Sequence, residues 1–533
     1  MRALVFAAFA VALAFVPAPP ASARTIHTVI EDDELALFSP GRLPAFIRTL
    51  KWLGVDELRV SAEWKIEAPD PDAGSPPPYF DPANPRSYDA SLGMEALDRA
   101  VRAASAAGIG VIVDPAFSAP RWATSDPLPR IPTGATLYDD NINVRELATW
   151  EGMLAERYSG HYTPRGAARP LPRVGTFTLW NEPNQSGFLG PQYQGTEPVS
   201  ADWERALIRA AYPAIKRASP EATVLIGNTS PTGASQQEGN LGVPPLTFIR
   251  RLACVNAALR PIDTGSCARF TTLPADGYSQ HTYEYQAAPW VQSAQNEAEI
   301  GDLRRLQALL DRLVAMHRLA PRAAQVWITE QGYQSNGQLS NQPWSQAKQA
   351  QLNAEAEYVA WRDGQAVSFA QFLLRDTLTS ETIALRHRTH DPNLTVGGTW
   401  TTGLEREDGS PKPALAMFRT PVVARFLSSA PSAGWFFSSP LGARAELAQV
   451  WGRARPMHTP TMIIVQTRTV GLGAWRSVSQ TVTDGNGIFA VTVAANAGLP
   501  VAVRFLWLDG GGRWEASPAT SVVRMSGLGH PHR

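Results

Sequence analysis

From about Thr25 to Phe426, short apolar or β-branched runs alternate with longer segments of helical periodicity. Strands are predicted at His27 to Leu37, Glu57 to Ser61, Gly110 to Pro115, Val174 to Asn181, Thr223 to Gly227, Gly277 to Tyr283, Gln325 to Glu330 and Val367 to Leu374. Amphipathic helices are predicted between and after them, at Leu43 to Leu53, Ser91 to Ala107, Val144 to Tyr158, Ala201 to Arg217, Leu246 to Cys254, Glu299 to Arg318, Ser345 to Arg362 and Pro413 to Phe426. Strand and helix in steady alternation demand parallel pairing with crossover helices. Eight such units over roughly 400 residues predict an α/β fold, the closed (β/α)8 TIM barrel with long loops. A doubly wound open sheet is the rival, but no glycine-rich phosphate turn follows the first strand.

Past about Ser428 the helical spacing stops. Met462 to Val470, Ala474 to Val482, Gly487 to Val493, Val501 to Leu508 and Ala519 to Met525 are short alternating runs, with Asp484-Gly485-Asn486-Gly487 and Asp509-Gly510-Gly511-Gly512 as hairpin turns. The expected organisation is therefore a barrel over 24–428 and a small all-β sandwich over 429–533. The sandwich has two readings: a packing module, or a sugar-binding surface that uses Trp475, Trp507 or Trp514.

Composition narrows the partners. The 533 residues are 44% hydrophobic and 18% charged, enough apolar material for one large domain and one smaller one. Lys plus Arg equal Asp plus Glu at 48 each, which leaves no long-range field to hold nucleic acid or an anionic membrane. A ligand close to neutral is expected. Met1-Arg2, the apolar run Ala3 to Val16 and Ala21-Ser22-Ala23 have the order of an export signal over residues 1–23, cut after Ala23. An uncleaved anchor is the alternative, disfavoured because the run is shorter than the ~20 residues of a span. The mature protein is expected to be secreted and free of membrane segments, and the Ala-, Arg- and Pro-rich composition points to a bacterial source. Cys254 and Cys267 are the two cysteines. In an oxidising compartment they predict one disulfide closing the short loop between them; two buried free thiols are the other reading.

Two predicted strands end in a glutamate. Val174 to Leu179 runs into Trp180-Asn181-Glu182-Pro183-Asn184, and Pro183 stops strand pairing because it has no N–H. Val326-Trp327-Ile328-Thr329 runs into Glu330-Gln331-Gly332, where the glycine lets the chain turn. Counting strands places these residues after the fourth and the seventh, on the carboxyl rim where a barrel binds its ligands. A lone glutamate there is more often half of a structural ion pair. Two carboxyls facing each other across a cleft can divide acid and base work, because each one's charge and surroundings push their pKa values apart. Glycoside hydrolysis needs that division.

These motifs resemble those of clan A, the retaining (β/α)8 glycoside hydrolases, over roughly Thr25 to Phe426. Asn-Glu-Pro at strand four and Thr-Glu-x-Gly at strand seven follow the clan's pattern. The string Trp180-Asn181-Glu182-Pro183-Asn184 resembles family 39, and Thr329-Glu330-Gln331-Gly332 is similar to family 5 cellulase-like enzymes as much. The resemblance implies that Glu182 is the acid/base, that Glu330 is the nucleophile and that Asn181 hydrogen-bonds a sugar 2-hydroxyl. It also implies that Arg59, in Leu58-Arg59-Val60, lies beside Glu330 and keeps it ionised; a barrel-floor ion pair with Glu63 or Glu31 is the alternative. His281 and Tyr283 share a strand face at period two. Tyr283 is then placed to donate to Glu330 and His281 to touch a sugar hydroxyl, with core packing as the alternative. The implied activity is hydrolysis of O-glycosidic bonds, on β-linked neutral sugars, by double displacement. A transglycosylase with the same carboxyls and a non-catalytic carbohydrate-binding barrel are the rivals.

Sugar C–H faces stack on aromatic rings, so the loop residues Trp64, Trp122, Trp290, Trp344 and Trp400 are candidate subsite walls, or else pins that hold the loops. The clan often has a Trp ending strand eight, and Leu373-Leu374-Arg375-Asp376 stand there instead. No metal or cofactor is expected: the nine His lack a zincin pattern, and Glu31-Asp32-Asp33-Glu34 lacks calcium-loop spacing and reads as a rim feature. The expected partner is a carbohydrate, and oligomeric state is left open.

Overall fold

Eight parallel strands close on themselves. They are β1 (His27–Glu31), β2 (Glu57–Glu63), β3 (Gly110–Ala116), β4 (Thr176–Phe177), β5 (Thr223–Thr229), β6 (Gly277–His281), β7 (Val326–Glu330) and β8 (Ala366–Phe372). Each pairs with the next, and β1 closes the ring on β8, with Glu31 opposite Phe372. This computed structural model describes residues 26–116, 118–124, 139–233, 242–335, 344–377, 400–427 and 445–525. The export signal read at 1–23 lies outside them. Among the described residues no helix is long and apolar enough to cross a membrane.

Inside the ring, Val29, Ile112, Leu225, Trp327 and Ala370 form a small apolar layer of their own, separate from the large core between strands and helices. Period two then decides what stands above it. Two residues beyond Val29 on the same strand face is Glu31, and two beyond Ile112 is Asp114, both buried. The barrel thus changes from apolar floor to charged mouth within one repeat of the pleat.

Three sequence readings need correction. The fourth strand, expected from Val174 to Asn181, is only Thr176–Phe177. The first strand was expected to reach Leu37 but stops at Glu31: Asp32 Oδ1 accepts from the Leu35 N–H at 3.1 Å and opens a wide helical turn over Glu34–Phe38. Leu35, Ala36 and Leu37 are all buried, so a short apolar run did not distinguish strand from turn. The last helix was expected to reach Phe426 but ends at Arg419, and Val422–Phe426 is the strand β9. Pro421 breaks the helix, and the β-branched pair Val422-Val423 favours the extended chain.

Strand β9 belongs to a second sheet, with β10 (Ala445–Arg453), β11 (Met462–Thr469), β12 (Leu472–Val482), β13 (Ile488–Asn496), β14 (Val501–Leu508), β15 (Trp514–Ala516) and β16 (Thr520–Val523). Its order is β12-β11-β14-β16-β9-β10-β13, with β15 on β14. The ring centroids of Phe489 in β13 and Phe505 in β14 are 4.9 Å apart although four strand pairings separate them in the sheet. The sheet therefore folds over on itself, and its two halves enclose Val491, Val503, Phe505 and Trp507 as a β core. Cys254 and Cys267 are joined by a disulfide, with their Cα atoms 5.6 Å apart.

A clasp joins this sheet to the underside of the barrel. Arg455, 2% exposed, donates to Thr28 Oγ1 of β1 at 3.2 Å and forms an ion pair with Glu357 of the helix Gln346–Arg362. Arg453 reaches the same Glu357 oxygen at 3.3 Å. Removing one partner from such a buried set costs about 3–5 kcal/mol, because the remaining charge stays buried.

One buried carboxyl outside the mouth gives a stability prediction. Glu204, on the helix Val199–Ala218, accepts from the Gly227 N–H at 2.7 Å, and burial pushes its pKa up to about 8. The folded state therefore holds a proton that the unfolded state releases near the ordinary glutamate value. Its stabilising contribution is complete below that value and is lost as pH rises through about 8. A Glu204→Gln variant should melt with the wild type at pH about 4 and above it at pH about 9. Parallel melting curves at both pH values would remove Glu204 from the account.

Candidate active site

The turn that ends the fourth strand is fixed residue by residue. Trp180 is buried and its indole N–H donates to the Phe188 carbonyl at 3.0 Å. Asn184 is fully buried; its amide donates to the Val243 carbonyl at 3.0 Å and its carbonyl accepts from the Ser230 N–H at 2.8 Å, which ties the turn to the segment after β5. Between these anchors Glu182 takes φ +42°, a left-handed conformation that costs a non-glycine residue on the order of 1–3 kcal/mol. Its N–H donates to the Asn228 carbonyl at 3.0 Å. The turn holds the backbone in that conformation and the carboxyl faces the barrel mouth.

Glu330 ends β7 in register with His281 at the end of β6. Gly332, two residues on, is required for a reason other than the free turn expected from the sequence. A Cβ there would stand 2.5 Å from the Phe372 carbonyl oxygen, so β8 packs against bare backbone.

Glu182, His281 and Glu330 each bring an oxygen or nitrogen within 4.8 Å of the others. His281 Nδ1 lies 2.8 Å from Glu182 Oε1, and its Nε2 lies 3.2 Å from Glu330 Oε1 and 3.1 Å from Asn228 Oδ1. Tyr283 donates its hydroxyl to Glu330 Oε2 at 2.7 Å, and Arg59 Nη1 donates to Glu330 Oε1 at 2.7 Å. Arg59 also binds Glu31, Asp114 Oδ2 at 2.7 Å and Asn181 Oδ1 at 3.0 Å. The two sequence readings of Arg59 are thus both realised, since one guanidinium serves Glu31 and Glu330 together.

The hydrogen bonds locate the proton. The Asn228 amide donates to Asp114 Oδ1 at 2.9 Å and to the Trp180 carbonyl at 3.0 Å; neither atom can donate in return, so its Oδ1 must be the acceptor facing His281. His281 Nε2 therefore carries the hydrogen. Burial, and then the Arg59 charge, hold the ring well below the ordinary histidine pKa, so it is neutral and Nδ1 has only a lone pair. An oxygen 2.8 Å from that lone pair must bring its own proton, and that oxygen belongs to Glu182. Electrostatics agree. Burial, and then the charge of Glu330, push Glu182 well above the usual carboxylate range. Burial raises Glu330 too, but Arg59 and the Tyr283 hydroxyl oppose it. The pair shares one proton, held on Glu182, while Glu330 is the anion.

Of the remaining expected contacts, Trp400 is at the site: its ring centroid is 5.5 Å from that of Tyr283 and 5.4 Å from that of Phe372. Phe372, the last residue of β8, is itself 5.9 Å from Tyr283. An aromatic does end strand eight, one residue before the leucines noted in the sequence. Trp64 must be corrected. It is fully buried and stacked 5.2 Å from Trp150, so it has no open face for a sugar. Trp122 packs edge-on against Trp64 at 5.9 Å and belongs to the same aromatic group. Trp344 donates to the Tyr285 carbonyl at 3.2 Å, which secures the loop after β6.

Asp114 and Asn228 were not singled out in the sequence, and both are central. Their signal was a polar residue closing an otherwise apolar strand, in Val-Ile-Val-Asp at β3 and Leu-Ile-Gly-Asn at β5. Glu31 and Asp32, read as rim features, are buried; burial raises the Asp32 pKa to about 7, and its carboxylate accepts from the Arg375 N–H at 3.0 Å. The Glu182, His281 and Glu330 donors also form the one grouping among the described residues that could hold a metal ion, which would have to displace the Glu182 proton.

No family model matches the sequence, and no curated protein matches it. Among solved structures, the chain is similar to a family 39 glycoside hydrolase from Bacteroides cellulosilyticus WH2, at 15% identity and TM-score 0.47, over 89% of this chain and 81% of that one. It is similar to a β-glucuronidase from Bacteroides uniformis at 9% identity and TM-score 0.41, over 94% of this chain and 46% of that one, so it spans less than half of that enzyme. It is also similar to an endo-β-1,4-mannanase from Thermotoga petrophila at 12% identity and TM-score 0.41, over 94% and 98% of the two chains. With TM-scores below 0.5, these likenesses leave the chemistry to be read from the side chains.

Proposed function

We propose that the protein is an exported glycoside hydrolase that retains anomeric configuration and acts on β-linked neutral sugars. The observation that carries the proposal is the Glu182–His281–Glu330 relay, with its proton on Glu182 and its anion on Glu330. Carboxyls ~5 to 5.5 Å apart suit a retaining reaction, whereas inversion needs roughly 6.5–9.5 Å to seat a water. One oxygen from each carboxyl comes within 4.8 Å of the other, and that close approach supports the first.

In this mechanism Glu330 attacks the anomeric carbon while Glu182 gives its proton to the leaving oxygen. The bond to the aglycone breaks and a glycosyl ester forms on Glu330. Glu182, now an anion, removes a proton from water, and the water oxygen displaces Glu330 and restores both groups. Arg59 and Tyr283 stabilise Glu330 as it leaves. Glu31, Asp114 and Glu330 surround a single guanidinium, and this excess of carboxyls disfavours a sugar acid at the cleavage point.

A panel of aryl β-glycosides, with NMR detection of the first-formed anomer, tests the proposal. Release of the aglycone with the β anomer appearing first is expected. An initial α anomer would overturn retention, and inertness to every glycoside and oligosaccharide would overturn the activity. Products longer than the starting oligosaccharide would assign the same carboxyls to transfer.

A further inference from the structure

The outer face of the second sheet carries charge that no carboxylate among the described residues balances. Strands β11, β12 and β14 hold not one Asp, Glu or Lys; Arg468 and Arg504 stand on this face, whereas Arg476, next to Trp475 and paired with Thr467, points to the other. Side chains alternate along β14: Val503, Phe505 and Trp507 face the buried core, and Arg504 faces out. On β11, Ile463 and Val465 point in and Arg468 is exposed. The Arg468 and Arg504 guanidiniums lie 4.7 and 4.4 Å from the ring centroid of Trp475 on β12, which is half-buried. Gln466 Oε1 accepts from Arg504 Nε at 2.9 Å and fixes that side chain. Among the described residues neither guanidinium has an ion pair. Burial, and then the Arg468 charge, lower the Arg504 pKa, as two like charges beside one ring require.

We infer that Trp475, Arg468 and Arg504 form a second carbohydrate site that binds the carboxylate-bearing residues of an acidic polysaccharide. An indole offers a face to sugar C–H groups, and a guanidinium meets a carboxylate with two parallel N–H···O bonds. A stable protein–protein interface buries roughly 1,000 Å² or more, far beyond two guanidiniums and one ring. A local patch of two cations around one ring matches one or two sugar units. The site is independent of the carboxyl pair. Together with the cleavage site proposed above, it points to a mixed polymer with neutral units at the cut and acidic units along the chain.

Affinity electrophoresis of the full chain through gels containing polygalacturonate, neutral dextran, dextran sulfate or DNA tests the site. Retardation by polygalacturonate alone is expected. It should disappear as salt rises from about 0.01 to about 1 M, which shortens the Debye length from about 30 to about 3 Å. The double variant Arg468→Gln/Arg504→Gln should lose about tenfold or more in affinity, the scale for charge-assisted hydrogen bonds. Trp475→Ala should lose a comparable amount. Aryl glycoside turnover in the same variants should match the wild type, which separates this site from the catalytic proposal and confirms folding. Equal retardation of wild type and the double variant, or equal retention by DNA and dextran sulfate, would overturn the inference.

Discussion

A Glu330→Gln variant is expected to bind substrate normally and to turn it over at least roughly ten-thousandfold more slowly, the scale on which loss of a nucleophile acts. The substitution keeps the shape of the side chain and removes the anion. Arg59 keeps Glu31 and Asp114 as counter-charges, so its position at the mouth survives. The Tyr283 hydroxyl can still donate to the amide oxygen. What disappears is the electron pair that forms the glycosyl ester. Turnover of an aryl glycoside alongside calorimetric binding of an unreactive analogue separates the two effects, and a turnover near that of the wild type would remove Glu330 from the mechanism.

The second large effect depends on the leaving group. Glu182→Gln should slow substrates with sugar leaving groups by about 10²–10⁴-fold, the usual contribution of a general acid. Formation of the ester from an activated aryl glycoside should be nearly unaffected, because a phenolate leaves without protonation. The pH profile provides an independent check. The wild type needs Glu330 ionised and Glu182 protonated, so activity falls on the acid side as Glu330 gains a proton and on the alkaline side as Glu182 loses one. Both carboxyls are raised, Glu182 further, so the active window lies above the ordinary carboxylate range. Removing Glu182 should abolish the alkaline limb of kcat/KM and leave the acid limb in place. An unchanged alkaline limb would mean that another group supplies the proton.

The barrel and the carboxyl pair were legible because they rest on short-range rules. An apolar run stopped by Pro183 or followed by Gly332 marks a strand end, and strand ends share a rim once the sheet closes. Partnerships across the barrel were harder to read. Arg59 had two candidate roles because sequence cannot show that Glu31, Asp114 and Glu330 converge on one guanidinium from three strands. Asn228 was missed for a related reason. Its importance lies in orienting His281, and its neighbours Asp114, Trp180 and Ser279 come from three other parts of the chain. Trp64 shows the opposite failure. It follows a strand, as a subsite residue would, but its four-residue helix turns the ring inward onto Trp150. Position relative to a strand says which rim a residue occupies, while the direction of the side chain depends on the local turn.

The clasp under the barrel bears on how such a chain can be inherited. Glue at a domain border is usually weak, which lets genes exchange accessory modules freely. Here Arg453 and Arg455 of the appended sheet neutralise Glu357, a carboxylate buried within the barrel's own helical layer. A barrel transplanted without its companion would keep that carboxylate and lose both counter-ions. Recombination at this border is therefore penalised, and the two units should be passed on together.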